Sequence, residues 1–155
     1  MGSGVDRVDK LFSVWYSNAM KNQRAADDDL RSMIADHMEA GFLENIIDMF
    51  RHDSGLYSLV GKLIQDERVR VRVGVTALIE ELKVLDSLNI FRAVPDLLPL
   101  LGHKEAVVRG DAANLLGIIR DKATVPFIEK LLRDENPNVR LLAAEAIEEI
   151  NQNPL

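Results

Sequence analysis

Cysteine is absent from the 155 residues, so disulfides, thiolate metal sites, cysteine nucleophiles and cysteine-linked attachment points are all excluded. Aromatic residues make up only 5%, and alanine, leucine and valine carry the apolar content, the diet of helix-on-helix packing. Long uncharged runs are also lacking. The longest, Leu11 to Met20, spans ten residues, about half the ~20 that a membrane helix needs. No charged-then-apolar leader opens the sequence, and Met1-Gly2-Ser3-Gly4 is expected to be a flexible start carrying no structure. The pattern therefore predicts a soluble, unexported, cytoplasmic chain with no membrane partner. Basic excess is missing too: the net charge is −6, and neither the first 50 residues nor the rest offers the positive surplus that phosphate binding needs, so nucleic acid is an unfavoured partner.

What the sequence does have is a repeat. Ala93 to Arg109, AVPDLLPLLGHKEAVVR, recurs as Thr124 to Arg140, TVPFIEKLLRDENPNVR, at a constant offset of 31 residues. The match continues past the arginines, where Ala112, Ala113 and Leu116 fall opposite Ala143, Ala144 and Ile147. A period near 30 built from two apolar helical patterns predicts an all-α solenoid of stacked antiparallel helical hairpins, each burying its face only against the next.

Ahead of the repeat, Val5, Val8, Leu11, Phe12, Trp15 and Ala19 form a helical stripe over Val5 to Met20. A second helix is expected over Asn22 to Ala40, with Leu30, Met33, Ile34, His37 and Met38 on one side and Asp27-Asp28-Asp29 as an acidic first turn favoured by the helix dipole. Gly41 is a natural stop, and Phe42, Ile46, Ile47 and Phe50 predict a third helix ending near His52. Residues 5–53 are expected to cap the array. Phe12 and Trp15 either close its first hairpin or offer a docking face to another protein.

Residues 55–150 read as three hairpins within a single domain of 1–155. Arg68 to Val73 alternates as a strand would, but the spacing of Leu63, Ile64 and Arg72 repeats that of Leu100, Leu101 and Arg109, and Val71, Val75, Leu78, Leu82 and Leu85 recur with helical period. The alignment therefore predicts helix there. Arg72 to Pro95 is six residues longer than Arg109 to Pro126, an insertion whose Leu88, Ile90 and Phe91 are expected to extend the following helix backwards. Pro95 and Pro126 suit a first helical turn, Pro99 should kink its helix, Thr124 is a plausible N-cap, and Asn151 to Pro154 supplies a polar ending.

The run Asp134-Glu135-Asn136-Pro137-Asn138-Val139-Arg140-Leu141-Leu142-Ala143-Ala144 resembles the short HEAT-like repeats of the phycobilisome-lyase type, over about residues 55–150. The resemblance implies right-handed stacking, Val71, Val108 and Val139 in the core, and a ladder of Arg72, Arg109 and Arg140 meeting turn acids Asp66 and Asp134. His103 departs from it by standing where the middle turn's acid should be, which weakens the ladder there or makes it sensitive to pH. It implies packing rather than activity.

Candidate chemistry is thin. Asp48 and His52 supply at most two metal ligands, so no metal and no cofactor is expected. HEAT-like di-iron hydroxylases carry His-Glu pairs and none occurs here. The alkyl-base-excising group uses a basic groove, for which Arg68, Arg70 and Arg72 are the best candidates, and nothing beyond the repeat supports a bilin lyase. No serine-centred triad or glycine-rich phosphate loop is present. The chain is thus expected to be no enzyme but a scaffold binding a protein through the concave face, at Val73, Ala77, Glu80, Gly110, Asn114, Gly117, Leu141 and Glu145, or through Phe12 and Trp15. The alternative is an enzyme or enzyme subunit acting on nucleic acid or a chromophore. Gly110 and Gly117 each cost a helix about 1 kcal/mol against alanine, which close approach of a neighbouring helix or of a partner must offset.

Overall fold

The computed structural model describes residues 4–152, without the side chains of residues 4–6 and Val8. Met1 to Ser3 of the expected flexible start, the side chains of Val5 and Val8, and Asn153-Pro154 of the expected polar ending lie outside the described residues, whereas Gly4 already belongs to the first helix. The described residues form eight α-helices and no strand: α1 Gly4–Glu39, α2 Leu43–His52, α3 Val60–Leu63, α4 Val69–Leu85, α5 Val94–Leu97, α6 Ala106–Ile119, α7 Val125–Glu129 and α8 Pro137–Asn151. No helix among them is long and apolar enough to cross a membrane. Two compact units divide between Met33 and Ile34.

The first unit is the greater part of α1. Where two helices were expected, one 36-residue helix runs from Gly4 to Glu39, because no proline or glycine interrupts Val5 to Glu39 and Asn22 alone does not break a helix. Asp27 to Asp29 consequently lie in mid-helix, where the dipole argument has no force; Asp27 instead accepts a hydrogen bond from Gln23 one turn earlier, at 3.0 Å. Every described side chain from Arg7 to Asn18 is exposed.

The second unit begins with the last turn of α1. Gly41, at φ 91°, takes the left-handed conformation that lets the Phe42 amide reach back to the His37 carbonyl at 2.9 Å and ends the helix. Ile46, Ile47 and Phe50 of α2 are buried as expected, and Phe50 meets Tyr57 edge to face at 5.3 Å.

The first repeat sets the 3₁₀ turn Ser54–Leu59 ahead of the short helix α3 and the long helix α4, whereas in the two later repeats a short helix is tightened by a 3₁₀ turn after it and followed by a long helix. Val94–Leu97 continues into the 3₁₀ turn Leu98–Gly102, and Val125–Glu129 into Lys130–Arg133. Pro99 is not the cause, since the third repeat tightens without a proline. Helix α4 starts at Val69, through the stretch that alternates like a strand; Val71 and Val75 are buried while Val69 and Val73 face solvent. Val71, Val108 and Val139 are all buried. Thr124 does not cap α7: its hydroxyl donates to the Asp121 carbonyl, and Asp121 itself caps the turn by accepting from the Ala123 amide. The α8 cap is Asn136, which accepts from the amides of Asn138 and Val139.

The insertion splits its apolar residues. Ile90 is buried in a 3₁₀ turn Ile90–Ala93, whereas Leu88 is 91% exposed and Phe91 partly so. Asp86 ties this connection down by accepting from the Tyr57 hydroxyl at 2.8 Å and from the Asn89 amide group at 2.9 Å.

Helix α6 packs far more extensively on α8 than on α4. A Cβ on Gly117 would lie 2.8 Å from the Ala146 Cα, and one on Gly110 would lie 2.9 Å from the Leu142 Cδ1. Close helix approach therefore offsets the helical cost of both glycines.

Candidate functional site

The arginines that recur at the start of the long helices share one anchor. Arg72, Arg109 and Arg140 each donate from Nη1 to the carbonyls six and five residues earlier, at 2.9 and 3.0 Å, 2.9 and 3.2 Å, and 2.7 and 3.3 Å respectively. This ties the turn to the helix that follows it. The other edge of Arg109 reaches forward to Asp134 of the next repeat, Nε to Oδ2 at 2.8 Å and Nη2 to Oδ1 at 2.9 Å, a bidentate geometry that fixes position as well as charge. Its hydrogen bonds hold the Asp134 carboxyl below the usual carboxylate range.

The equivalent of Asp134 one repeat earlier is His103, and Arg72 makes no hydrogen bond to it. Arg72 instead approaches Asp111 of α6, at 3.5 Å from Nε to Oδ2. That contact is too long for a good hydrogen bond, and burial pushes the Asp111 carboxyl up, with the Arg72 charge opposing. Asp66 is gripped not by a preceding ladder arginine but by Arg68, which also pairs with Asp36 at 2.8 Å. The supposed basic strip Arg68, Arg70, Arg72 is thus largely spent on internal carboxylates and carbonyls.

Beside the seams between the long helices lies a depression of about 770 Å³. Glu80 and Lys83 of α4, Asn114 and Gly117 of α6, Arg120, and Glu145, Glu148 and Glu149 of α8 line it. Both cations are committed. Lys83 donates to the Ile119 carbonyl at the C-terminus of α6, at 2.7 Å, and lies 5.5 Å over the Phe91 ring; burial and then the Arg120 charge lower its pKa. Arg120 closes α6 in the left-handed conformation, at φ 62°, and pairs with Glu149. Glu80, Glu145 and Glu148 have no ion-pair partner among the described residues, so the surface offered is acidic.

Of the eight residues proposed from the sequence, Glu80, Asn114, Gly117 and Glu145 come together here. Val73, Ala77 and Leu141 do not line the depression, and Gly110 sits in a smaller hollow of about 180 Å³ with Asp111, Asn136 and Leu142. Lys83 and Arg120 were missed. Each lies three residues after a chosen position, Glu80 or Gly117, so one further helical turn along the same face would have found them.

Residues 94–154 match the family described as HEAT repeats. That segment is HEAT-like in sequence. The match takes in α5 to α8, and no curated protein matches the chain. It is to HEAT repeats as a class; the phycobilisome-lyase subtype rests on the residue resemblance alone. Outside the matched HEAT segment, Phe12 and Trp15 are 62% and 64% exposed, with ring centroids 6.1 Å apart. Asp48 and His52 meet only through the Asp48 backbone carbonyl and the His52 ring, at 2.7 Å, and no group of three metal-ligating side chains converges among the described residues.

Proposed function

We propose that this HEAT-like chain is a non-catalytic binding module in which three antiparallel hairpins over residues 55–150 stack as an α-solenoid, and that it engages a protein partner through the acidic depression around Asn114. HEAT repeats are commonly protein-interaction scaffolds. The observation that carries the choice of surface is the lining of the 770 Å³ depression, in which three glutamates stand unpaired while both cations are already engaged. Such a surface favours a partner presenting lysine or arginine, and the wrong sign of charge disfavours the alternative of an enzyme on nucleic acid.

Asn114→Arg tests it. Asn114 is half-buried on the wall of the depression, and a long arginine there can carry its charge out to the unpaired glutamates and solvent, so the variant should keep a melting temperature within a few degrees of the parent. Affinity capture from native extract, followed by mass spectrometry, should lose with Asn114→Arg the proteins that the parent retains. An unchanged set of captured proteins on a stable variant rejects this surface.

A further inference from the structure

We propose that the side of α8 turned away from α6 receives a helical segment of another protein whose leading turn carries an aspartate, and that Arg140 takes its carboxylate. The seam between α6 and α8 shows the filled arrangement one repeat earlier. There Arg109 spends Nη1 on its own turn carbonyls and gives Nε and Nη2 to Asp134, whose carboxylate also accepts the Asn136 amide just ahead of α8. Arg140 is held by Nη1 in the same way, on the carbonyls of Asp134 and Glu135. Its Nε and Nη2 meet no acceptor among the described residues. The guanidinium is thus already oriented for a bidentate partner, and taking one freezes little further freedom.

The residues around Arg140 continue the occupied seam onto an open one. Leu142 and Ala146 meet α6, and Arg140, Ala144 and Ile147 lie about half a turn round α8 from them. Their counterparts 31 residues earlier, Arg109, Ala113 and Leu116, are buried, as is Leu101. Arg140, Ala144 and Leu132 are exposed, and Ile147 is half-buried. Charge selects an acidic occupant. Lys130 and Arg133 stand where the middle repeat has Pro99 and Gly102, and with Leu132 and Ile147 they line a hollow of about 600 Å³ in which Glu129 is the one acid. Leu141 and Glu148 replace the glycines that let α8 approach α6, so the incoming segment stands further off than α8 does and depends more on the arginine. Arg140, Ala144 and Ile147 do not line the acidic depression, so the two surfaces can be tested apart.

The probe is the segment that fills the equivalent place on Arg109: a fluorescein-labelled, end-blocked peptide of residues 133–152, titrated with the full chain and followed by fluorescence anisotropy. Saturable binding is expected. Arg140→Ala in the chain or Asp134→Asn in the peptide should weaken it at least ~10-fold, as loss of a charge-assisted hydrogen bond does, and the two together should be no worse than either alone. Arg140→Lys keeps the charge and a hold on the turn but loses the two-pronged edge; it should weaken binding nearly as much, and it carries the test should Arg140→Ala fail to fold. Three outcomes overturn the inference: no saturable binding, binding indifferent to both Arg140 variants, or losses from the chain and peptide changes that simply add, which places the carboxylate elsewhere.

Discussion

Arg109 and Asp134 meet edge to edge across two repeats, with two hydrogen bonds of 2.8 and 2.9 Å and only 10% and 8% of their side chains exposed. The same guanidinium holds the carbonyls of His103 and Lys104, so one side chain fixes its own turn and the next.

Arg109→Ala should therefore lower the melting temperature by several degrees, since it strands both the carboxylate and two turn carbonyls, and Asp134→Asn should do so less. The pH dependence has a definite sign. Asp134 has a depressed native pKa, so its contribution is fully present above the ordinary unfolded value of about 3.9 and is lost as pH falls through the lower native one. The gap in stability between parent and Asp134→Asn, followed by thermal melts from neutral pH downward, should stay constant to about pH 4 and close only below it. A gap that closes well above that range contradicts the assignment.

The two glycines of α6 should answer differently to alanine. At Gly117 the new Cβ meets backbone, the Ala146 Cα at 2.8 Å, so the helices must part and Gly117→Ala should cost about 1–3 kcal/mol. At Gly110 it meets the far end of Leu142, which can turn aside. There the helical gain of about 1 kcal/mol offsets the repacking, leaving Gly110→Ala within about 1 kcal/mol of the parent. Chemical denaturation of the two variants compares them directly.

Much of this was readable in the sequence. The 31-residue offset located α6 and α8, and the family resemblance placed Val71, Val108 and Val139 in the core, because those positions are dictated by contacts that recur from repeat to repeat; the anchoring of each arginine on its own turn carbonyls was not foreseen. The continuity of α1 was misread rather than hidden: Asn22 and Asp27 look like a helix start, but a start needs something to stop the preceding helix, and no glycine or proline from Val5 to Glu39 does so. The committed state of Lys83 and Arg120 was hidden for another reason. Lys83 finds its acceptor in a carbonyl 36 residues away, and Arg120 pairs with a glutamate 29 residues on, distances that only packing supplies.

His103 does half of an aspartate's work. Asp66, His103 and Asp134 all accept from the amide two residues later, at 2.9, 3.0 and 2.9 Å, the imidazole using Nδ1 where the others use a carboxylate oxygen. It cannot also receive an arginine. His103→Asp should keep the turn and give Arg72 a forward carboxylate, raising the melting temperature by a few degrees. The gain should vanish in the Arg72→Ala background; if it survives there, the ladder is not its source.

The unequal seams imply that this array does not melt as a uniform stack. Helices α6 and α8, drawn together where Gly117 admits Ala146 and latched by Arg109 on Asp134, should exchange their amide hydrogens as one block at the slowest rate in the molecule. Helix α4, joined to α6 by a looser contact and a 3.5 Å approach of Arg72 to Asp111, can open ahead of that block. The depression straddles the boundary between them, so whatever occupies it bridges a part that breathes and a part that does not, and should slow exchange chiefly on the α4 side.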